Sequence, residues 1–85
     1  MAYNVVWSET SSKQLGKLEK AVIDRITRKV NDTAKNPFLF VQKLHGLGLY
    51  KLRVGDYRVI MNIENNKMVI FIVEVGNRSV VYRKY

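Results

Sequence analysis

The chain has 85 residues, 47% of them hydrophobic and 26% charged, which predicts one small domain over 1–85 that buries only about 60–65% of its extended surface. The absence of cysteine excludes disulfides, thiolate metal sites and a cysteine nucleophile, and a single histidine excludes a polyhistidine metal cage. Fifteen Lys or Arg against seven Asp or Glu give a net charge of +8, which points to a polyanion or an acidic protein as partner.

Met1 to Trp7 lacks a basic stretch followed by a long apolar segment, and no run approaches the roughly 20 apolar residues that span a bilayer. The expectation is a cytoplasmic protein with no membrane partner. Residues 3–7, rich in aromatic and branched side chains, read as a short strand. Ser8-Glu9-Thr10-Ser11-Ser12 then offers hydroxyl and carboxylate groups able to cap a helix. From Ser11 to Ala34, Leu15, Leu18, Val22, Ile23, Ile26 and Val30 recur at helical spacing on one face. Gly16 and the polar stretch Lys17–Lys20 divide this into two helices forming a hairpin, with Lys13, Lys20, Arg28, Lys29 and Lys35 expected in solvent.

Asn36-Pro37 stops the helical pattern, since proline lacks an amide and clashes with the preceding turn. Phe38, Leu39, Phe40, Val41 and Leu44 read as apolar cover for the domain edge, and His45-Gly46-Leu47-Gly48-Leu49 as a turn that leaves His45 exposed. From Tyr50 the period changes to two. Tyr50–Val54 and Tyr57–Glu64 form a hairpin about Gly55-Asp56, Lys67–Val75 is a central strand, and a last short strand is expected around Val80–Tyr82. The fold class is therefore α+β, in the order β-α-α-β-β-β-β: an N-terminal strand, then a helical hairpin packed on a twisted antiparallel sheet.

The second half of the chain is the more basic: residues 43–85 hold eight cations and three acids, a net +5, against +3 for residues 1–42. Alternation places Lys51 and Arg53 on the face of their strand opposite Leu52 and Val54, which the helices are expected to cover. The paired strand brings Arg58 near them, and Arg78 and Tyr82 are candidates to enter the same surface from the far end of the sheet. Cations clustered in this way suit a phosphate or phosphodiester. RNA supplies its own nucleophile in the 2'-hydroxyl, so a site of Arg, Lys and Tyr works on it by orientation, deprotonation and charge stabilisation, with neither metal nor cofactor. Asp56, Glu64 and Glu74 are scattered and read as turn, rim or strand polarity, and Tyr3, Trp7 and Tyr57 as core or rim aromatics.

The run Leu49-Tyr50-Lys51-Leu52-Arg53-Val54-Gly55-Asp56-Tyr57-Arg58-Val59-Ile60, followed by Val75-Gly76-Asn77-Arg78 and Val81-Tyr82, resembles the RelE/ParE superfamily of toxin–antitoxin systems, in its RelE-like branch. The leading strand and helical hairpin match as well. Two positions depart from the pattern: Tyr50 stands where RelE members often carry a basic residue, and Asn77 where many have His or Lys.

The resemblance implies a type II toxin that acts as a ribosome-dependent mRNA endonuclease, cutting codons in the ribosomal A site and so inhibiting translation. On that analogy Arg58 and Arg78 hold the scissile phosphate, Lys51 takes part in phosphate binding or proton transfer, Arg53 is a neighbouring phosphate contact, and Tyr82 orients or activates the 2'-hydroxyl. The implied partners are mRNA on the ribosome and a cognate RelB-like antitoxin, acidic enough to compete for a +8 surface, in an assembly compatible with a toxin–antitoxin heterotetramer. Two alternatives share the fold: a non-nucleolytic ParE-like inhibitor of DNA gyrase, and an inactive member that only binds its antitoxin.

Overall fold

A computed structural model describes residues 2–78. Its elements are β1 (Asn4–Trp7), α1 (Glu9–Gly16), α2 (Lys20–Thr33), β2 (Gln42–Leu44), β3 (Leu49–Val54), β4 (Tyr57–Glu64) and β5 (Val69–Asn77), with single 3-10 turns at Pro37–Leu39 and Asn65–Lys67. The strands form one sheet in the order β1-β5-β4-β3-β2, and both helices lie on one of its faces. The expected α+β arrangement of strand, helical hairpin and sheet holds. The sheet is mixed, however: β1 runs parallel to β5, with Asn4 opposite Val69 and Trp7 opposite Ile72, while the other pairs are antiparallel. No helix among the described residues is long and apolar enough to cross a membrane.

The helical hairpin breaks where the sequence suggested, between Gly16 and Lys20. Ser8 caps α1 by accepting the Ser11 amide at 3.0 Å. Ile26, Val30 and Ala34 bring the apolar stripe of α2 down onto Leu52, Val54, Val59, Met61, Ile70, Ile72 and Val75 of the sheet. Leu15, Leu18 and Val22 close that core from the side, and Tyr3, Trp7 and Tyr57 pack against it half-buried, as expected of rim aromatics.

A bulge in β5 decides what its last residues face. Ile60 is opposite Glu74, yet the next residue, Met61, is opposite Ile72, so Val73 has no counterpart on β4. In an unbroken strand Glu74 shares a face with Ile70 and Ile72 and points under the helices. The extra residue swaps the faces. Val75 joins the core beneath the helices, and Glu74 turns to the opposite side of the sheet. Polar groups around the bulge are satisfied from α1 and its capping residue Ser8. The Ser8 hydroxyl donates to the Val73 carbonyl at 3.1 Å, the Ser11 hydroxyl to the Ile72 carbonyl at 3.1 Å, and the Val75 amide to Gln14 Oε1 at 2.7 Å.

Several local readings change. Gln42–Leu44, of which the sequence reading places only Leu44 in the apolar cover, is a three-residue strand paired with β3. Its brevity and its Gln-Lys polarity suit a sheet edge, where a long apolar strand invites pairing with other chains. Phe38, Leu39 and Phe40 do not pack as cover: all three are exposed, with Leu39 at 74%. Pro37 at the start of their 3-10 turn is buried instead and anchors it. The expected strand around Val80–Tyr82 lies outside the described residues.

Candidate functional site

The antiparallel register of β3 and β4 assembles the site. Arg53 is opposite Arg58 and Lys51 is opposite Ile60, so three cations lie on the sheet face turned away from the helices, while Leu52 and Val54 are buried beneath them. The alternation read from sequence therefore holds. Four residues outside this hairpin complete a groove of about 270 Å³ around the cations: Lys29 of α2, Leu39 and Phe40 at the end of the 3-10 turn, and Gln42 of β2. Cation–cation repulsion in such a groove is relieved when an anion enters it.

The three predicted cations differ in setting. Arg53 is exposed and Lys51 half-buried, whereas Arg58 is 7% exposed. Burial holds a side chain to few rotamers, so Arg58 offers its guanidinium in a fixed position. Glu74, also 7% exposed, lies on the same face two residues from Gly76, the register partner of Arg58, which makes it a diagonal neighbour of that arginine. By sequence alone Glu74 reads as turn, rim or strand polarity. The structure instead places a buried carboxylate beside the most buried cation, where it lowers the cost of holding positive charge out of water. The bulge that puts it there was not visible in a run whose residues from Val69 to Val73 are all apolar.

Arg78 stands apart from the groove lining. It follows β5, and its amide donates to the Asp56 carbonyl at 2.7 Å, which fixes the chain against the β3–β4 turn, one residue from Gly55. Tyr82 lies outside the described residues. His45 is exposed in the turn between β2 and β3 and does not line the groove, and Asp56 and Glu64 are exposed as expected.

Lys29 and Phe40 were missed. Helical periodicity assigned Lys29 to solvent, but it is half-buried and its Nζ lies 4.6 Å from the centroid of the Phe40 ring, a cation–π contact that holds the ammonium at the groove. The available signal was the position of Lys29 one turn before Thr33, close to where the chain must cross to reach Pro37; periodicity carries no information on a long side chain's reach. A second depression runs on from the first, lined by Arg25, Arg28, Lys29 and Asp32 of α2 with Arg53, Val54 and Gly55. Lys29 and Arg53 belong to both, so the positive surface continues from the sheet onto α2.

Comparison with known proteins accords with this geometry. The "mRNA interferase toxin RelE" of Escherichia coli K12 is 30% identical over 82 residues, covering 93% of this chain and 86% of that one. The archaeal RelE–RelB complex from Pyrococcus horikoshii superposes with a TM-score of 0.79 at 34% identity, covering 92% of this chain and 97% of its own. The toxin–antitoxin complex RelBE2 from Mycobacterium tuberculosis gives 0.85 at 22% identity over 92% of this chain and 100% of that one, a likeness of fold. Residues 5–82 match the family model described as the ParE toxin of type II toxin–antitoxin systems. With its groove, register and relatives taken together, the chain belongs to the ParE toxin family within the RelE/ParE superfamily, and is a RelE-like toxin of a type II toxin–antitoxin system.

Proposed function

We propose that this toxin is a metal-independent endoribonuclease that cuts mRNA in the ribosomal A site. The observation that carries the reading is the convergence of Lys51, Arg53 and Arg58 on one groove through the β3–β4 register. The E. coli relative named an mRNA interferase supports the choice of RNA over other polyanions. In the reaction the 2'-hydroxyl loses its proton and attacks the adjacent phosphorus. The bond from phosphorus to the 5'-oxygen then breaks, leaving a 2',3'-cyclic phosphate and a 5'-hydroxyl that takes up a proton.

Arg58 holds the phosphate and stabilises the charge that grows on its oxygens, because a preorganised donor in a partly dry site gives most where charge develops. Arg53 and Lys51 position the strand, and Lys51 takes part in proton transfer. Arg78 and Tyr82 are proposed to complete the site, the first on the phosphate and the second on the 2'-hydroxyl. The same surface is proposed to receive a RelB-like antitoxin in a toxin–antitoxin heterotetramer, since the P. horikoshii neighbour is a RelE–RelB complex and a +8 chain favours an acidic partner.

The test is primer extension on mRNA programmed onto ribosomes, with ribosome-free mRNA as control. Cuts confined to the A-site codon are expected from the native protein. Lys51→Ala and Arg58→Lys, chosen to spare the fold, should each lower the cleavage rate by about a hundredfold or more, in the range of a lost charge-stabilising donor. Intact mRNA from folded native protein, with loss of supercoiling by DNA gyrase, would overturn the nuclease reading in favour of a gyrase inhibitor.

A further inference from the structure

The groove has an apolar wall that phosphate binding does not explain. Leu39 is 74% exposed and Phe40 38% exposed, and both line the groove whose other residues are Lys29, Gln42, Lys51, Arg53 and Arg58. Two large apolar side chains left in water beside cations are costly unless something covers them. The wall is rigid. Buried Pro37 starts its 3-10 turn, the Phe40 and Val41 amides both donate to the Pro37 carbonyl at 3.0 and 3.2 Å, and the Leu39 amide donates to the Asn36 carbonyl at 3.2 Å. Lys29 braces the Phe40 ring from α2. Gln42, on the edge strand at the same groove, adds an amide able both to donate and to accept.

We propose that Leu39 and Phe40 form a nucleobase subsite, on which one base of single-stranded RNA stacks while its phosphate is held by Lys51, Arg53 and Arg58. The inference rests on the RNA reading above and adds to it where the base sits. A nucleotide is itself half planar and apolar and half anionic, and the groove matches it with an apolar wall and a cationic floor. Stacking on an aromatic side chain is tolerant of sequence, because every base has a π face, so Phe40 supplies affinity and register while Gln42 is placed to read a base edge. An acidic peptide satisfies the cations as well, but its charge gives no reason for the exposed wall.

The test is a fluorescence-anisotropy titration at low salt with two non-cleavable 2'-O-methyl oligoribonucleotides of equal length, one bearing bases throughout and one carrying abasic sugars at its centre. Phe40→Ala and Leu39→Ala, both at exposed positions and checked by thermal melting, are compared with Phe40→Trp and Arg53→Ala. The Phe40→Ala substitution should weaken the base-bearing RNA by about 5- to 150-fold, the range of one base–aromatic stack, and leave the abasic RNA unchanged. Phe40→Trp should restore binding, and Arg53→Ala should weaken both RNAs alike. Equal losses on both RNAs with Phe40→Ala would overturn the subsite, since the ring then acts only by placing Lys29. No loss on either RNA, or a loss seen only in antitoxin binding, would also overturn it and make the wall a protein contact. If Arg53→Ala changes neither RNA, the cation groove itself is not the RNA site, and the reading beneath the proposal falls with it.

Discussion

Replacing Arg53 by Gln separates what the groove does to the fold from what it does to a ligand. Arg53 and Arg58 are register partners, and side chains directly opposite one another start from Cβ atoms about 5 Å apart. Two like charges held on the order of 6 Å apart repel by about 0.7 kcal/mol in a water-like dielectric, the appropriate limit for a pair of which Arg53 is the exposed member. Glu74, diagonal to Arg58 on the same face, offsets part of this, and ions trim it further over a screening length of about 10 Å at 0.1 M salt. Removing the Arg53 charge should therefore stabilise the protein by about 0.5 kcal/mol, which in a domain of this size raises Tm by about 2–4 °C. The gain should shrink as salt is added. In the same variant the slope of log K against log salt for single-stranded RNA should fall by about 0.7, the value for one phosphate no longer neutralised. Melting curves and RNA titrations at low and high salt measure both effects. A variant that melts below the native protein at low salt, or whose Tm difference is the same at every salt concentration, would refute like-charge strain across β3 and β4.

Substitutions at three further positions test the packing that positions the groove. Ile26→Ala, at a fully buried site of α2, should cost about 2–5 kcal/mol in urea unfolding, and a loss below about 1 kcal/mol would show that α2 does not carry the core. Gln14→Leu removes the acceptor for the Val75 amide beyond the bulge and should cost about 1–3 kcal/mol, with faster hydrogen exchange at Val75 as its local signature. Gly55→Ala places a side chain at φ +57°, with its Cβ 3.2 Å from a guanidinium nitrogen of Arg25, and should lower stability by about 1–2 kcal/mol. Gly55→Asn should cost less in the same melt, because asparagine tolerates the left-handed conformation better than alanine does.

The sequence was most legible where an element is regular and its two faces differ in chemistry. In β3, Leu52 and Val54 alternate with Lys51 and Arg53, so burial and groove followed from a period of two. Around Val73 that logic has nothing to act on, since neighbours of uniform polarity hide a one-residue slip, and the slip is what moves Glu74 to the groove face. Phe38 to Phe40 misled for another reason: apolar character tells what favours burial, and the structure leaves these three exposed above a buried proline. Lys29 was misjudged because helical position locates its Cβ and says nothing of where four methylenes carry the charge. The parallel pairing of β1 was also out of reach, as residues 3–7 show a strand and no partner.

The order of strands has a kinetic side. β3, β4 and β5 are joined by short connections and pair as neighbours, whereas β1 must find β5 across almost the whole described chain, Asn4 meeting Val69. Closing the longer loop carries the larger entropic cost, so the meander is the expected early structure and the docking of β1 the late one. Mutations in β4 should then slow folding while those in β1 mainly speed unfolding, and the reverse pattern in stopped-flow kinetics would contradict this order. Lys51, Arg53 and Arg58 all belong to the early part. Their positive cluster is therefore in place while the sheet still lacks an edge, and an acidic partner present during folding meets its charge before the toxin has finished folding.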